Sequence, residues 1–419
     1  MKIQHYDVLI VGAGQAGAQT AISLRQHGYA GTIGLIGKEL ELPYERPALS
    51  KDYLSGDRPF EGLLIRPSEF WKKQDIALHL GVEAVLVDTE EKVVNGKDGA
   101  LFGYQNLVWA AGGDPRRLSC AGNNLANLHT IRSRADVDKL RDELDVARRV
   151  IVVGGGYLGL EAAATLKGLG KDVVLIEAAD HILARVAGED VSRFFEAEHR
   201  ARGVDLRLSS SVFRITGDGG RATGVELSGG ELVAGDLILV AVGIDAVVAP
   251  LMRAGAKGRS GVLVNSSCET SLPGIYAVGD CTECANVHSG GAVMRIESVQ
   301  NANDQANVAA RAIVGMAASY EAVPWFWSNQ FDLRLQTVGL SKPHDAVVIR
   351  GDRAKRSFSV IYLRGGRVVA MDCINATKDF VQGRGIVGRN LTLPLDKLAD
   401  VSIPLKEIAQ MASPMENVL

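Results

Sequence analysis

The chain has 419 residues, 47% hydrophobic and 23% charged, with a formal net charge of −3 at pH 7. That length suits two or three domains with sizeable cores, and the near-balanced charge gives no drive towards nucleic acid. No apolar run reaches the roughly 18 residues of a membrane helix and no leader-like segment precedes the first strand, so a cytoplasmic chain without a membrane partner is expected.

In chain order, Val8-Leu9-Ile10-Val11 reads as a buried strand and runs into Gly12-Ala13-Gly14-Gln15-Ala16-Gly17. A helix-like stretch over 16–26 and a strand over 32–36 complete a βαβ unit. In such a turn Gly12 allows the tight bend and Gly14 lets the backbone approach a pyrophosphate, while Gly17 lets helix and strand pack closely. The helix N-terminus, from Ala16 on, presents N–H groups to phosphate. The acid usual at the end of the second strand is displaced: Lys38 stands there, followed by Glu39, which is either its substitute or a solvated surface residue. Next comes a Pro-punctuated stretch over 39–67, in which Pro43 and Pro47 fix the backbone and Arg46 and Lys51 supply positive charge. Strand-like runs follow over 84–87 and 107–110, the second leading into Ala111-Gly112-Gly113.

A charged, helix-like stretch over 134–147 precedes a second copy of the motif. Val150-Ile151-Val152-Val153 leads into Gly154-Gly155-Gly156-Tyr157-Leu158-Gly159, a helix is predicted over 158–169 and a strand over 172–176. One such fingerprint is weak evidence; two, each between a strand and a helix, predict two dinucleotide sites in one chain. Glu177 follows Gly159 by 18 residues, the place of an acid that accepts hydrogen bonds from both ribose hydroxyls and repels a 2′-phosphate. NADH is therefore expected over NADPH; Arg185, the nearest downstream Arg, lies too far along the chain to reverse this. Glu161 is either a partner of the helix dipole or a site residue.

Strand-like runs over 237–242, ending at Gly243, and over 275–278, ending in Gly279-Asp280, precede a helix over 302–314. From Tyr320 the texture changes to strands over 347–350, 358–363 and 368–371, with a helix-like tail over 405–411. This segment carries 13 basic and 10 acidic residues and reads as a separate α+β domain.

Pro43-Tyr44-Glu45-Arg46-Pro47-Ala48-Leu49-Ser50-Lys51, Ala110-Ala111-Gly112-Gly113, Ala277-Val278-Gly279-Asp280-Cys281, Arg295-Ile296-Glu297-Ser298-Val299 and Pro324-Trp325-Phe326-Trp327-Ser328 carry a resemblance over almost the whole chain. It resembles the FAD-dependent NADH:ferredoxin reductases, putidaredoxin reductase-like, that serve bacterial ring-hydroxylating dioxygenases and cytochrome P450 systems. The resemblance implies an α/β fold of two Rossmann-like dinucleotide-binding domains, glutathione-reductase-like, plus a C-terminal α+β domain. The expected bounds are 1–112 and 245–319 for FAD, 113–244 for NADH and 320–419 for the last domain.

It also implies an activity: electrons pass from NADH through FAD to an acidic 2Fe–2S ferredoxin. FAD would take the first fingerprint, with Gly12, Gly14, Ala16, Gly17, Glu39, Arg46, Lys51, Ala84, Ala111, Gly112, Arg132, Asp280, Val299 and Trp327 about it. NADH would take Gly154, Gly156, Tyr157, Leu158, Gly159, Glu177 and Gly243. The resemblance pairs Lys51 with Glu161 beside the reacting rings and sets Trp327 near the flavin at the electron exit. Arg334, Lys342, Arg350, Arg353, Lys355 and Arg356 are candidates for docking the ferredoxin.

Cys281-Thr282-Glu283-Cys284 invites a redox-disulfide reading, but no Cys lies near residues 40–50 or beside the second fingerprint, where disulfide reductases carry theirs. Five Cys without a leader read as free thiols, and neither a zinc nor an iron–sulfur ligand set is present; no metal is expected. The scattered His read as surface or packing residues. A rubredoxin or other NADH-dependent flavin reductase is the alternative within the class. A redox-regulated binding protein resembling apoptosis-inducing factor is the alternative outside it, without the basic surface and insertions that reading needs. A monomer is favoured.

Overall fold

The computed structural model of the chain describes residues 2–411, which form two compact units. The first comprises the chain up to Ala48 with Arg58–Asp114 and Ile244–Ala322. The second comprises Leu49–Asp57, Pro115–Gly243 and the described residues from Val323 on.

A seven-stranded mixed sheet organises the first unit. The central strand, Gln4–Val11, buries Val8 to Val11 completely because parallel strands flank it on both sides, Ile33–Gly37 and Leu101–Trp109. Such doubly covered strands read as continuous apolar runs rather than alternating ones. Ile76–Leu80 extends the sheet beyond Ile33–Gly37, and Val93–Gly96 and Ala84–Asp88 extend it antiparallel on the other side. Ile275–Ala277 pairs in parallel with Leu101–Trp109.

The helix Gln15–Gln26 buries Ala16, Gly17, Ala18 and Ala21, side chains small enough for close packing, and lies against the helix Val299–Ile313. The turn before it and its own first turn each admit only glycine at one point. Gly12 has φ +114°, and a Cβ on Gly17 would fall 1.8 Å from the Gly12 carbonyl oxygen, closer than any real contact.

The second unit repeats this device. Its parallel sheet runs Val204–Arg207, Asp172–Ile176, Arg149–Val153, Leu237–Val240, Leu128–His129. The helix Tyr157–Gly168 leaves Arg149–Val153 through Gly154 at φ +112°, and a Cβ on Gly159 would fall 2.0 Å from the Gly154 carbonyl oxygen. The same unit holds a five-stranded antiparallel sheet ordered Trp325–Gln330, Leu333–Gly339, Arg367–Ile374, Ser357–Arg364, Ala346–Asp352. The fold is α/β with two dinucleotide-type sheets and a C-terminal α+β region.

The structure departs from the sequence expectations in three places. The predicted helical tail over 405–411 is a single turn, Leu405–Ile408, seated by the buried Leu405 and Ile408 in the C-terminal core. A three-stranded antiparallel sheet, Val212–Asp218, Arg221–Leu227 and Leu232–Ala234, occupies a stretch with no strand signal. The helix Thr377–Gly388 is also additional. Its glycines disguise it, and Gly383 is there for packing: a Cβ would fall 2.4 Å from the Met371 sulfur.

Candidate functional site

In the first unit the fingerprint helix begins without a side-chain cap on Gly14, so its leading N–H groups are not spent on a capping oxygen. The nearest groups to a Cβ built on Gly14 are the Arg46 guanidinium nitrogens at 3.9 Å. Arg46 donates to Glu39 Oε1 at 2.5 Å and to the Tyr44 hydroxyl at 3.1 Å, and Tyr44 donates to Glu39 Oε2 at 2.5 Å. Burial works against the Arg46 charge, yet Tyr44, Glu39 and Asp280 hold its pKa above the ordinary value.

Lys38 turns outward to Glu83 at 3.2 Å and Asp114 at 3.9 Å. Of the two residues at the end of the second strand, Glu39 therefore faces the Arg46 cluster. Asp280 follows Gly279, whose Cβ position lies 2.9 Å from that of Ala16, so the Gly-Asp strand end abuts the fingerprint helix. A second helix begins nearby at Val299, capped by Ser298, and Gln15 donates to Asn303 across the two helices at 2.8 Å. Ala111 and Gly112 follow the strand Leu101–Trp109, and Ala84 opens the edge strand Ala84–Asp88. Lys51, Arg132 and Trp327 are part of the second unit.

There the second fingerprint helix also begins without a side-chain cap, and nothing stands within 4 Å of a Cβ built on Gly156. Glu177 Oε2 accepts from the Gly155 amide at 2.6 Å and Oε1 from the Ala179 amide at 2.8 Å. The Tyr157 ring stacks on Phe326 at 4.5 Å; the Trp327 ring lies 6.2 Å from Phe326 and 5.7 Å from Trp325. The aromatic run of the C-terminal sheet thus borders the start of this helix.

Arg185 follows Glu177 by 8 residues in the chain. The fold brings it, with Arg116, to about 4 Å from the Cβ position of Gly243 (4.0 and 3.9 Å), so two guanidinium groups flank the strand end expected to face NADH.

Glu161 is buried on the second fingerprint helix and collects three donors. Lys51 Nζ and Ser50 Oγ each reach Oε2 at 2.7 Å, and Ser328 Oγ reaches Oε1 at 2.8 Å. The side chains of Lys51 and Glu161 are only 14% and 8% exposed, so this ion pair is shielded from solvent screening. Ser50 and Ser328 lie in segments that carry the resemblance, but nothing in the sequence marks them as partners of Glu161.

All five Cys are free thiols. Burial pushes Cys281 up to about 12 and raises Cys284 as well, which suppresses the thiolate that redox exchange requires. No metal-binding cluster occurs among the described residues, and no described helix is long and apolar enough to cross a membrane.

The basic residues of the C-terminal region are not equivalent. Arg350 is buried on Asp379 and three backbone carbonyls, which removes it from any docking surface. Arg353 pairs with Asp190, Arg356 with Asp332 and Glu198, Lys355 with Asp352, and Lys342 donates to the Ala184 carbonyl. Arg334 is exposed.

Residues 6–306 match the family described as pyridine nucleotide-disulphide oxidoreductase, and 325–409 match the family described as reductase C-terminal. The chain is 53% identical over 407 residues to a ferredoxin–NAD(P)(+) reductase of Sphingomonas sp., covering 97% of this chain and 98% of that one. It is 54% identical over 405 residues to the 5,5'-dehydrodivanillate O-demethylase ferredoxin reductase subunit of Sphingobium sp., at 96% and 98% coverage. Among solved structures it superposes with a TM-score of 0.93, at 36% identity and 98% and 99% coverage, on the reductase of the covalent putidaredoxin reductase–putidaredoxin complex.

Proposed function

The chain belongs to the pyridine nucleotide-disulphide oxidoreductase family, and on that premise we propose that it is an FAD-containing NADH:ferredoxin reductase. It draws electrons from NADH and delivers them to a 2Fe–2S ferredoxin that feeds an oxygenase, a ring-hydroxylating dioxygenase or a cytochrome partner. It acts as a monomer in the cytoplasm. Residues 1–112 and 245–319 serve as the FAD domain, 113–244 as the NADH domain and 320–419 as the C-terminal domain, whose last eight residues lie outside the described ones.

The observation that carries this reading is the pair of uncapped fingerprint helices, one per unit, each with glycines that no other residue could replace. Both fit a dinucleotide. In the first, free N–H groups and the Arg46 cation suit a pyrophosphate, Glu39 and Asp280 provide acceptors for sugar hydroxyls, and Ala84, Ala111, Gly112 and Val299 line the remainder. We assign Arg132 and Trp327 to the flavin as well. When bound, FAD supplies the acceptance of a hydride and the release of single electrons.

The second fingerprint receives NADH through Gly154, Gly156, Tyr157, Leu158, Gly159 and Gly243. Each Glu177 oxygen spends one lone pair on a backbone N–H and keeps another for a ribose hydroxyl. The same charge disfavours a 2′-phosphate. Lys51 holds its ammonium proton on Nζ against Glu161 Oε2 and presents positive charge to the reacting rings. The protein's part is binding, orientation and electrostatics.

The purified protein should be yellow and reduce cytochrome c with NADH only when a 2Fe–2S ferredoxin is added. Equal reduction without ferredoxin, or a higher kcat/KM for NADPH, would count against the assignment.

A further inference from the structure

Behind Glu161 runs a line of buried polar groups that the reductase chemistry described above does not use. Ser328 Oγ accepts from Gln330 Nε2 at 3.1 Å, and Gln330 Oε1 meets His199 Nε2 at 2.9 Å. Ser328, Gln330 and His199 are each fully buried. Ser328 and Gln330 share one face of the strand Trp325–Gln330, and His199 sits on the helix Glu189–Ala201.

The chemistry of these groups sets the direction of every proton. An amide nitrogen only donates, so Ser328 must accept from Gln330 and has its single hydroxyl proton left for Glu161. Gln330 turns its nitrogen to Ser328, so its oxygen faces His199, and His199 Nε2 must carry the proton. Burial depresses the His199 pKa to about 4, so the ring is neutral and holds one proton to give. Its Nδ1 is buried with no hydrogen-bond partner. Burying an acceptor unpaired is costly, and the compensating contact of this ring is the bond to Gln330.

We propose that Ser328, backed by Gln330 and His199, is a positioning residue: it fixes the Glu161 carboxylate so that Oε2 stays on Lys51. Oε1 takes its donor from Ser328, whereas Oε2 takes two, from Ser50 and Lys51. With Ser328 in place the carboxylate cannot rotate about its last bond without breaking a charge-assisted hydrogen bond. Without it the Lys51 ammonium loses a fixed partner. The consequence for catalysis rests on the role of Lys51 and Glu161 in flavin reduction given above.

The test uses the FAD-loaded full chain. Lys51 is acylated with limiting acetic anhydride and quantified by mass spectrometry against Lys171, a half-buried Lys held by the Leu144 and Ala147 carbonyls. Ser328→Ala should raise the Lys51:Lys171 labelling ratio several-fold and slow flavin reduction by NADH about tenfold, the usual effect of losing a bond to a charged group. Ser328→Thr, which keeps the hydroxyl, should restore both, and Gln330→Leu should move both in the direction of Ser328→Ala. In a Glu161→Gln background Ser328→Ala should change neither further, since paired residues are not additive. An unchanged labelling ratio, or a full further effect in the Glu161→Gln background, overturns the proposal. A raised ratio with unchanged flavin reduction upholds the positioning and overturns the role of the ion pair in hydride transfer.

Discussion

Glu177 Oε2 lies 2.6 Å from the backbone nitrogen of Gly155, inside the fingerprint turn itself. The carboxylate proposed to receive the ribose is thereby tied to the loop proposed to receive phosphate, and its second oxygen is tied to Ala179. Glu177→Ala should therefore do two things. kcat/KM for NADH should fall about tenfold through KM, the cost of one or two hydrogen bonds to a charged acceptor, while NADPH loses nothing. The Arg116 and Arg185 groups near Gly243 remain to attract a phosphate once the carboxylate is gone, so the NADH:NADPH ratio should narrow. Steady-state kinetics with both nucleotides decides it; an unaltered ratio would remove Glu177 from selectivity.

Lys51→Met should leave FAD bound and slow its reduction by NADH by at least tenfold in stopped flow, because the positive charge is lost while the Arg46 cluster is untouched. It should also destabilise the fold by about 3 kcal/mol, since removing one partner strands a buried carboxylate. The double variant Lys51→Met with Glu161→Gln should recover much of that stability and none of the rate. Unchanged stopped-flow reduction would exclude Lys51 from the mechanism, whatever the stability shows.

The two fingerprints are legible in the sequence because their physics is local. A doubly buried strand must be apolar throughout, a turn at φ +114° or +112° must be glycine, and a close-packed helix face must be small. The Lys51–Glu161 pair spans 110 residues, and only the resemblance brought its halves together. Ser328 reaches Glu161 across 167 residues and His199 reaches Gln330 across 131; a lone Ser, Gln or His leaves no periodicity to read. Arg350 misleads for the converse reason: a basic residue in a basic segment looks exposed until Asp379 and the carbonyls around it are placed. The sheet over 212–234 escapes notice because its strands are half exposed, with the first burying only Ile215.

Two buried groups give this protein opposing pH dependences. Burial depresses His199 to about 4 from an unfolded value of about 6.5. The folded state binds fewer protons in that window, so stability is full above about 6.5 and falls as pH drops towards 4. Burial raises Asp372 to about 6 from about 3.9 unfolded. The folded state binds more protons there, so stability is full below about 4 and falls as pH rises through 6. Each amounts to about 3 kcal/mol across its window, and the slopes largely cancel between pH 4 and 6. Asp372→Asn should unmask the His199 slope, making urea midpoints climb with pH relative to the parent; His199→Gln should produce the reverse. Parallel pH profiles for both variants and the parent would contradict the assignment.

The ferredoxin partner gives the last contrast, between Arg334 and Arg350. If an acidic ferredoxin is steered by positive charge on the C-terminal region, its KM should rise with salt. Arg334 and Lys355 are exposed, and the ion pair of Lys355 to Asp352 is long, at 3.9 Å. Reversing both, Arg334→Glu with Lys355→Glu, should raise the KM for ferredoxin several-fold at low salt, flatten its salt dependence and leave the denaturation midpoint in place. Arg350 holds Asp379 at 3.1 Å and the Leu398, Asp400 and Ile403 carbonyls at 3.2, 2.6 and 2.9 Å. Arg350→Ala takes the buried cation from a half-buried carboxylate and leaves three carbonyl acceptors without their donor, so it should cost about 3 kcal/mol. In whatever fraction stays folded, the KM should be ordinary. A raised KM in folded Arg350→Ala, with no response to the surface reversals, would move the docking surface away from Arg334 and Lys355.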